Sequence, residues 1–288
     1  EVFGQREDRD ELVKQALKAA EEADAVVMAL GEHTLQSGEA ASRGDITLPA
    51  QQMELLRQVS RVNSNVITVV YSGRPLDLRE VSACSKAVLA VFLPGTMGGA
   101  GIADVLFGAA SPGGRVSMSF PWSAAQIPVY HNDYSTGRPY DPAGAEQKFV
   151  SRYLDMPNSP LYPFGYGLTY GSFRYSSVTL SAETMKAGEV LTAAVTVTNE
   201  GTAAAKETVQ LYLHDEKATT VRPRRELKGV KCLYLQPGES GEAVFRITEE
   251  MLKIWDRDMN FLAEPGTFTV YIGSDSRTEN GAGFRYEG

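Results

Sequence analysis

From residue 10 the chain carries a helical pattern. In DELVKQALKAAEEAD, apolar residues recur at Leu12, Val13, Ala16, Leu17 and Ala20, one face of an amphipathic helix. The short apolar run AVVMALGE follows and ends at Gly31. LPAQQMELLRQVSRV predicts a second helix, with Pro49 suited to its first turn and Leu55, Leu56 and Val59 on one face. NVITVVYSG is β-branched and stops at Gly73. PLDLREVSACS reads as a short helix, KAVLAVFLPG as a third strand, GGAGIADVLFGAAS as a fourth helix and RVSMSFP as a last short strand. Strands without polar alternation, separated by helices, imply a mostly parallel sheet between helices, covered on both faces and joined by right-handed crossovers. The expectation over residues 1–125 is therefore an α/β sandwich. Sites in such sheets lie beyond the carboxyl ends of the strands, here Gly31-Glu32, Ser72-Gly73-Arg74 and Pro94-Gly95.

The pattern then changes twice. Residues 126–172 have no period and are rich in Pro, Gly and Tyr. Flexible linkers are poor in aromatics, so this connector is expected to be ordered and packed along a surface. Residues 173–288 alternate, as in TVTN and TVQLYL, and QPGES and EPGTF supply turns. Six strand-like runs at this spacing predict an all-β sandwich. The Cys–Trp–Cys arrangement of antibody domains is missing, which favours the fibronectin III-like form.

Composition narrows the function classes. The 288-residue length fits about two domains at roughly 150 residues each. Lys+Arg number 28 against 36 Asp+Glu, a net charge of −8, which is poor for binding a phosphate backbone. No nucleic-acid partner is expected. No apolar run approaches the roughly 18 residues of a membrane span, so no membrane partner is expected either. Two cysteines, Cys84 and Cys232, are expected to be buried free thiols. The chain starts EVFGQREDRDE, with no initiator Met and no signal-like region, as a piece of a longer protein or a mature product would.

The segment that carries chemistry is GEHTLQSGEAASRGDITL, residues 31–48. Connections in α/β units usually take about 2–6 residues, and this one is roughly three times longer. It sits at the carboxyl edge of the sheet and carries Glu32, His33, Glu39, Arg43 and Asp45. Length and content alone leave a functional loop and a solvated polar loop equally open. Glu32 directly follows the strand, where a structural role fits better. Asp45 is short and near the return to the helix. Arg43 can orient a carboxylate or a sugar hydroxyl, or be a plain surface arginine. Three histidines, at 33, 131 and 214, have no paired ligand spacing, so no metal site is expected. His131 sits in the connector. The run Gly99-Ala100-Gly101-Ile102-Ala103-Asp104 falls short of a dinucleotide loop, because Asp104 stands where a third glycine is needed. No cofactor is expected, and a nucleotide-linked enzyme is disfavoured. Tyr130, Tyr134, Tyr140, Tyr153, Tyr162, Phe164, Tyr166 and Tyr170 read as packing wedges rather than sugar platforms.

The loop resembles the acid/base loop of family-3 glycoside hydrolases, in particular β-glucosidases of the bacterial periplasmic type. Further matches follow in order: SGRPLDL at 72–78, LPGTMGGAGIADVLFG at 93–108, GRVSMSFP at 114–121, STGRPY at 135–140, YPFGYGLTY at 162–170 and RPRRELKGVKCLYLQPGES at 222–240. The resemblance covers nearly the whole chain. It implies an enzyme of three parts: an N-terminal (β/α)8 barrel with the nucleophilic Asp, an α/β sandwich with the general acid/base, and a fibronectin III-like domain. This chain matches the second and third. A barrel needs about 250 residues of its own, and no segment matches the nucleophile region.

The resemblance therefore implies a retaining, exo-acting β-glucosidase acting on a β-glucoside or oligosaccharide, with Glu39 in SGEAASR as general acid/base and the N-terminal barrel as partner. It implies a periplasmic or secreted location. These 288 residues by themselves are expected to be inactive. The alternative is a non-catalytic carbohydrate- or partner-binding module, against which the long acidic loop argues.

Overall fold

A computed structural model describes residues 9–139 and 148–288. Tyr140, among the connector tyrosines, lies outside these ranges. The chain divides into two compact units, 1–99 with 120–127, and 100–119 with 128–288.

The first unit alternates helix and strand as expected: α1 (Arg9–Glu22), β1 (Val26–Gly31), α2 (Ala50–Val62), β2 (Val66–Tyr71), α3 (Arg79–Cys84) and β3 (Ala87–Ala90). The strands form a parallel sheet in the order β1-β2-β3. Met28, Leu30, Val66, Thr68 and Val70 are buried, and Thr68 is satisfied there by the Ser85 hydroxyl at 2.7 Å. Helix α2 turns Met53, Leu56 and Val59 inward. It starts directly after Pro49 and stops at Asn63, whose side chain donates to the carbonyls of Ala20 and Ala23 and so closes the end of α1. Cover on both sheet faces is incomplete, because Val27 on the edge strand β1 is 52% exposed. Helix α4 (Gly98–Leu106) starts at the end of this unit and runs on into the second.

RVSMSFP is not a strand of this sheet. It pairs with the YPFGYG turn instead: Val116 N–H donates to Tyr166 O, Gly165 N–H to Val116 O, and Phe164 N–H to the Ser119 hydroxyl. Strand propensity here found a backbone partner in the connector rather than at the sheet edge.

The second unit holds β4 (Phe173–Tyr175), β5 (Thr179–Leu180), β6 (Thr184–Met185), β7 (Val190–Asn199), β8 (Ala205–Asp215), β9 (Glu226–Leu235), β10 (Ser240–Thr248), α5 (Glu249–Leu252), β11 (Ile254–Trp255), β12 (Phe261–Leu262), β13 (Gly266–Gly273) and β14 (Gly281–Tyr286). One sheet runs β10-β7-β4 with β5 also on β7, and the facing sheet runs β6-β14-β13-β8-β9. Alternate residues of the long strands fill the core: Leu191, Ala193, Val195 and Val197 from β7, and Val209, Leu211 and Leu213 from β8. Strand β14 escapes the sequence pattern because GAGFRY is half glycine and alanine, yet Phe284 and Tyr286 are core residues. The cysteines are free, but neither is fully buried: Cys84 is half-buried, and Cys232 is exposed on the outward face of β9.

Strand β8 is buried on its second face as well, and the connector is what covers it. Gln210 donates to Gly165 O at 3.0 Å and accepts from Tyr212 Oη at 2.6 Å. Gly165 has φ 81°, and a Cβ there would meet the Gln210 side chain at 2.0 Å, so only glycine fits. Glu207 is buried and accepts from Arg115 at 2.8 Å and from Tyr175 at 2.7 Å. Tyr162 stacks on Tyr166, and His131 lies flat on Phe164 at 4.0 Å and edge-on to Tyr212. These rings wedge the connector, whereas Tyr130 and Tyr134 stay exposed.

Burial pushes the His131 imidazole below its ordinary value of 6.5, against a weaker opposing pull from Glu226. The unfolded chain therefore takes up this proton more readily than the folded one. The stability tied to neutral His131 is present above pH 6.5 and is lost as pH falls through the lower folded value. His131→Phe keeps the ring stack and removes the proton site. Thermal unfolding from about pH 7 to about pH 5 should show a smaller loss for the variant than for the wild type.

Candidate functional site

The loop between β1 and α2 is anchored at both ends. At its start, Gln52 in the first turn of α2 accepts from Gly31 N–H and donates to Gly31 O, each at 2.9 Å. At its end, Ile46 and Leu48 are buried, and Asp77 N–H donates to Ile46 O. Between these anchors the chain comes out to solvent, with Leu35 85% exposed.

Glu39 sits exposed on the outer part of this loop. Its two neighbours have left-handed backbone, Gly38 at φ 114° and Ala40 at φ 57°. For Ala40 such a conformation costs about 1–3 kcal/mol, and persists only where the surroundings over-determine it. The Ala41 N–H donates to Gly38 O across this tight turn. A separate turn precedes it, closed by Gln36 N–H to His33 O and by the Gln36 side chain on His33 N–H.

Glu32 points the other way. Its side chain is 1% exposed. Oε1 accepts from Arg43 Nη1 at 3.0 Å and lies 3.0 Å from Arg74 Nε, while Oε2 accepts from Gly73 N–H at 3.0 Å. The Arg74 Nε contact is an ion pair off the N–H axis, since this buried nitrogen makes no hydrogen bond among the described residues. Two cations and a backbone donor offset the cost of burying this carboxylate. Arg74 also reaches the loop: Nη2 donates to Gln36 O at 2.6 Å and to Ala41 O at 2.7 Å. Arg43 donates to Thr47 O at 3.2 Å. The loop is packed against Gly73 so closely that a Cβ there would lie 1.7 Å from Ser37 Oγ.

The other loop residues are committed locally. Asp45 accepts from the backbone and hydroxyl of Thr47, and these bonds hold its carboxyl below the usual range, which is the wrong direction for a proton donor. His33 Nδ1 accepts from Leu35 N–H and the ring is otherwise exposed. The structure thus brings Glu32, Arg43 and Arg74 together and leaves Glu39 apart from them, open to solvent. The expected structural role of Glu32 and the carboxylate-orienting option for Arg43 both appear in this geometry. Sequence reasoning gave Arg74 no role. The signal available was an arginine directly after Gly73 at the carboxyl end of the central strand.

The glycosyl hydrolase family 3 C-terminal domain profile matches residues 3–170, and the fibronectin type III-like domain profile matches residues 207–276. A periplasmic beta-glucosidase of Salmonella typhimurium is 44% identical over 92% of this chain, which spans 34% of that protein. A beta-xylosidase of Formosa agariphila is 34% identical over 92% of the chain and is spanned to 36%. The crystal structure of a beta-glucosidase from Listeria innocua in complex with glucose superposes with a TM-score of 0.93 at 38% identity, over 98% of this chain and 39% of that one. The chain therefore spans little more than a third of the relatives it matches. Among the described residues no helix is long and apolar enough to cross a membrane.

Breaking a buried ion pair by removing one partner costs about 3–5 kcal/mol. Arg43 and Arg74 are 16% and 22% exposed and can partly rehydrate, so Glu32→Ala should lose stability near the lower figure. Chemical denaturation of the variant measures this.

Proposed function

The chain belongs to glycosyl hydrolase family 3, and from that membership we propose that it is the C-terminal part of a retaining, exo-acting β-glucosidase, with Glu39 as general acid/base. The observation that carries this reading is the placement of Glu39. It is an exposed carboxylate on a long loop at the carboxyl edge of a parallel sheet, while Glu32 of the same loop is buried and occupied by Arg43 and Arg74. One carboxylate anchors and the other is left free to act.

The chemistry needs a second carboxylate. Retaining glycosidases place two carboxyl groups roughly 5 Å apart across the anomeric carbon. In the first step the nucleophile's oxygen bonds to that carbon as the glycosidic C–O bond breaks, and the acid gives its proton to the leaving oxygen. In the second step water attacks the glycosyl ester, the ester bond breaks, and the water's proton passes to the same residue acting as base. We assign the nucleophilic Asp to an N-terminal barrel, which also supplies most contacts to the sugar. General acids of this kind hold their proton through burial or a neighbouring negative charge, and a docked barrel would bring both. A periplasmic or secreted location fits the name of the Salmonella relative.

A second reading, a non-catalytic binding module, is favoured by one feature. Trp255 and Phe261 pair across β11 and β12 with ring centroids 5.1 Å apart, and are 57% and 44% exposed. Titrating the chain with cello-oligosaccharides separates the two. Tight saturable binding favours the module; none is expected.

Two outcomes test the catalytic reading. The 288-residue chain alone should hydrolyse no aryl β-glucoside, and activity comparable to full-length relatives would overturn the two-part assignment. In the full-length enzyme, Glu39→Ala should lower kcat/KM by about 10²–10⁴-fold on poor leaving groups. The loss should be far smaller on activated aryl glucosides, with rescue by azide. A uniform loss without rescue would move the role to another residue.

A further inference from the structure

We propose that Arg74 is the positioning residue of the acid/base loop, holding in one piece the turn that carries Glu39 and the turn before it. This rests on the reading of Glu39 as the acid/base. The turn at 33–36 and the turn at 38–41 each close on their own hydrogen bonds. Neither bond set crosses from one turn to the other. Arg74 Nη2 does, because it donates to Gln36 O in the first and Ala41 O in the second, at 2.6 and 2.7 Å. One nitrogen thus spans the stretch that contains Glu39, and it reaches there from the segment that follows the central strand.

The guanidinium is itself held in place. Its Nε faces the buried Glu32 carboxylate at 3.0 Å, and Glu32 is fixed by Arg43 and by the N–H of Gly73. The order of support runs from β2 through Glu32 and Arg74 to the loop carbonyls. The loop needs this support, because Ala40 keeps a left-handed φ that its own side chain disfavours. Lysine cannot replace the fork: an ammonium is a single point, whereas Arg74 uses separate nitrogens for Glu32 and for the two carbonyls.

A displaced acid/base has a kinetic signature that a loosened fold lacks. Proton donation matters for poor leaving groups and hardly at all for activated ones. A misplacement of about 1 Å can cost on the order of 10²-fold. In the full-length enzyme, Arg74→Met should lower kcat/KM on an alkyl β-glucoside by about 10²-fold, with a loss of only a few-fold on a dinitrophenyl β-glucoside. Azide should partly restore turnover, and Arg74→Lys should recover only part of the loss.

Arg74→Met leaves Glu32 short of one cation, so Glu32→Gln/Arg74→Met is measured beside it. The same split in the double variant supports the proposal even if the single variant folds poorly. Hydrogen exchange supplies an independent readout. Amides of 37–41 should exchange faster in the double variant while those of Val69 and Val70 do not change. Equal losses on both glucosides, with Glu39→Ala still showing the split, would overturn the positioning role and leave the acid/base reading standing. Absence of the split in Glu39→Ala itself would remove both.

Discussion

Glu32 leaves the end of the first parallel strand and turns its carboxylate inward, where only 1% of the side chain meets solvent. A charge so placed is stable only if cations and N–H groups surround it. Arg43 from the loop, and Arg74 and the Gly73 amide from the segment after β2, do so. Satisfying one buried charge therefore joins the edge strand, the central strand and the long loop. The exposed half of the loop inherits its order from that junction, because its own backbone includes a non-glycine residue with positive φ.

A comparable device works in the second unit. Strand β8 alternates like a one-sided strand, but both of its faces are buried. The apolar face belongs to the sandwich core. Glu207, Thr208, Gln210, Tyr212 and Asp215 are buried polar residues of this strand, and every one of them has a partner. A connector rich in glycine and aromatics suits such a surface. Gly165 allows close approach to Gln210, and Phe164 and His131 fill the space beside it.

The chain spans little more than a third of its longer relatives. In the function proposed, that division has a chemical meaning. Two carboxylates must act on one anomeric carbon, and each is carried by a separate body. The burden on this chain is then to hold one carboxylate at a fixed place on an exposed surface without burying it. The anchored base beneath the loop, Glu32 held by Arg43 and Arg74, serves that end.

Much of this was legible in the residues. The helical period around Leu56 and the β-branched run at Val66 specify helix and strand through local sterics and burial. The unusual length of residues 31–48 drew attention to the loop of the proposed site, and the motif match made Glu39 its candidate acid/base. Other features depended on contacts between residues far apart in the chain. RVSMSFP has strand propensity, yet its partner is the YPFGYG turn. GAGFRY has little propensity, yet it completes a sheet because β13 offers it an edge. Arg74 looks in sequence like any arginine after a glycine. Its role comes from a carboxylate 42 positions earlier being buried against it. Local pattern settles the longer helices and strands, since propensity and amphipathicity act over a few residues. Tertiary structure alone settles which charges are buried together, since desolvation depends on everything that packs around them.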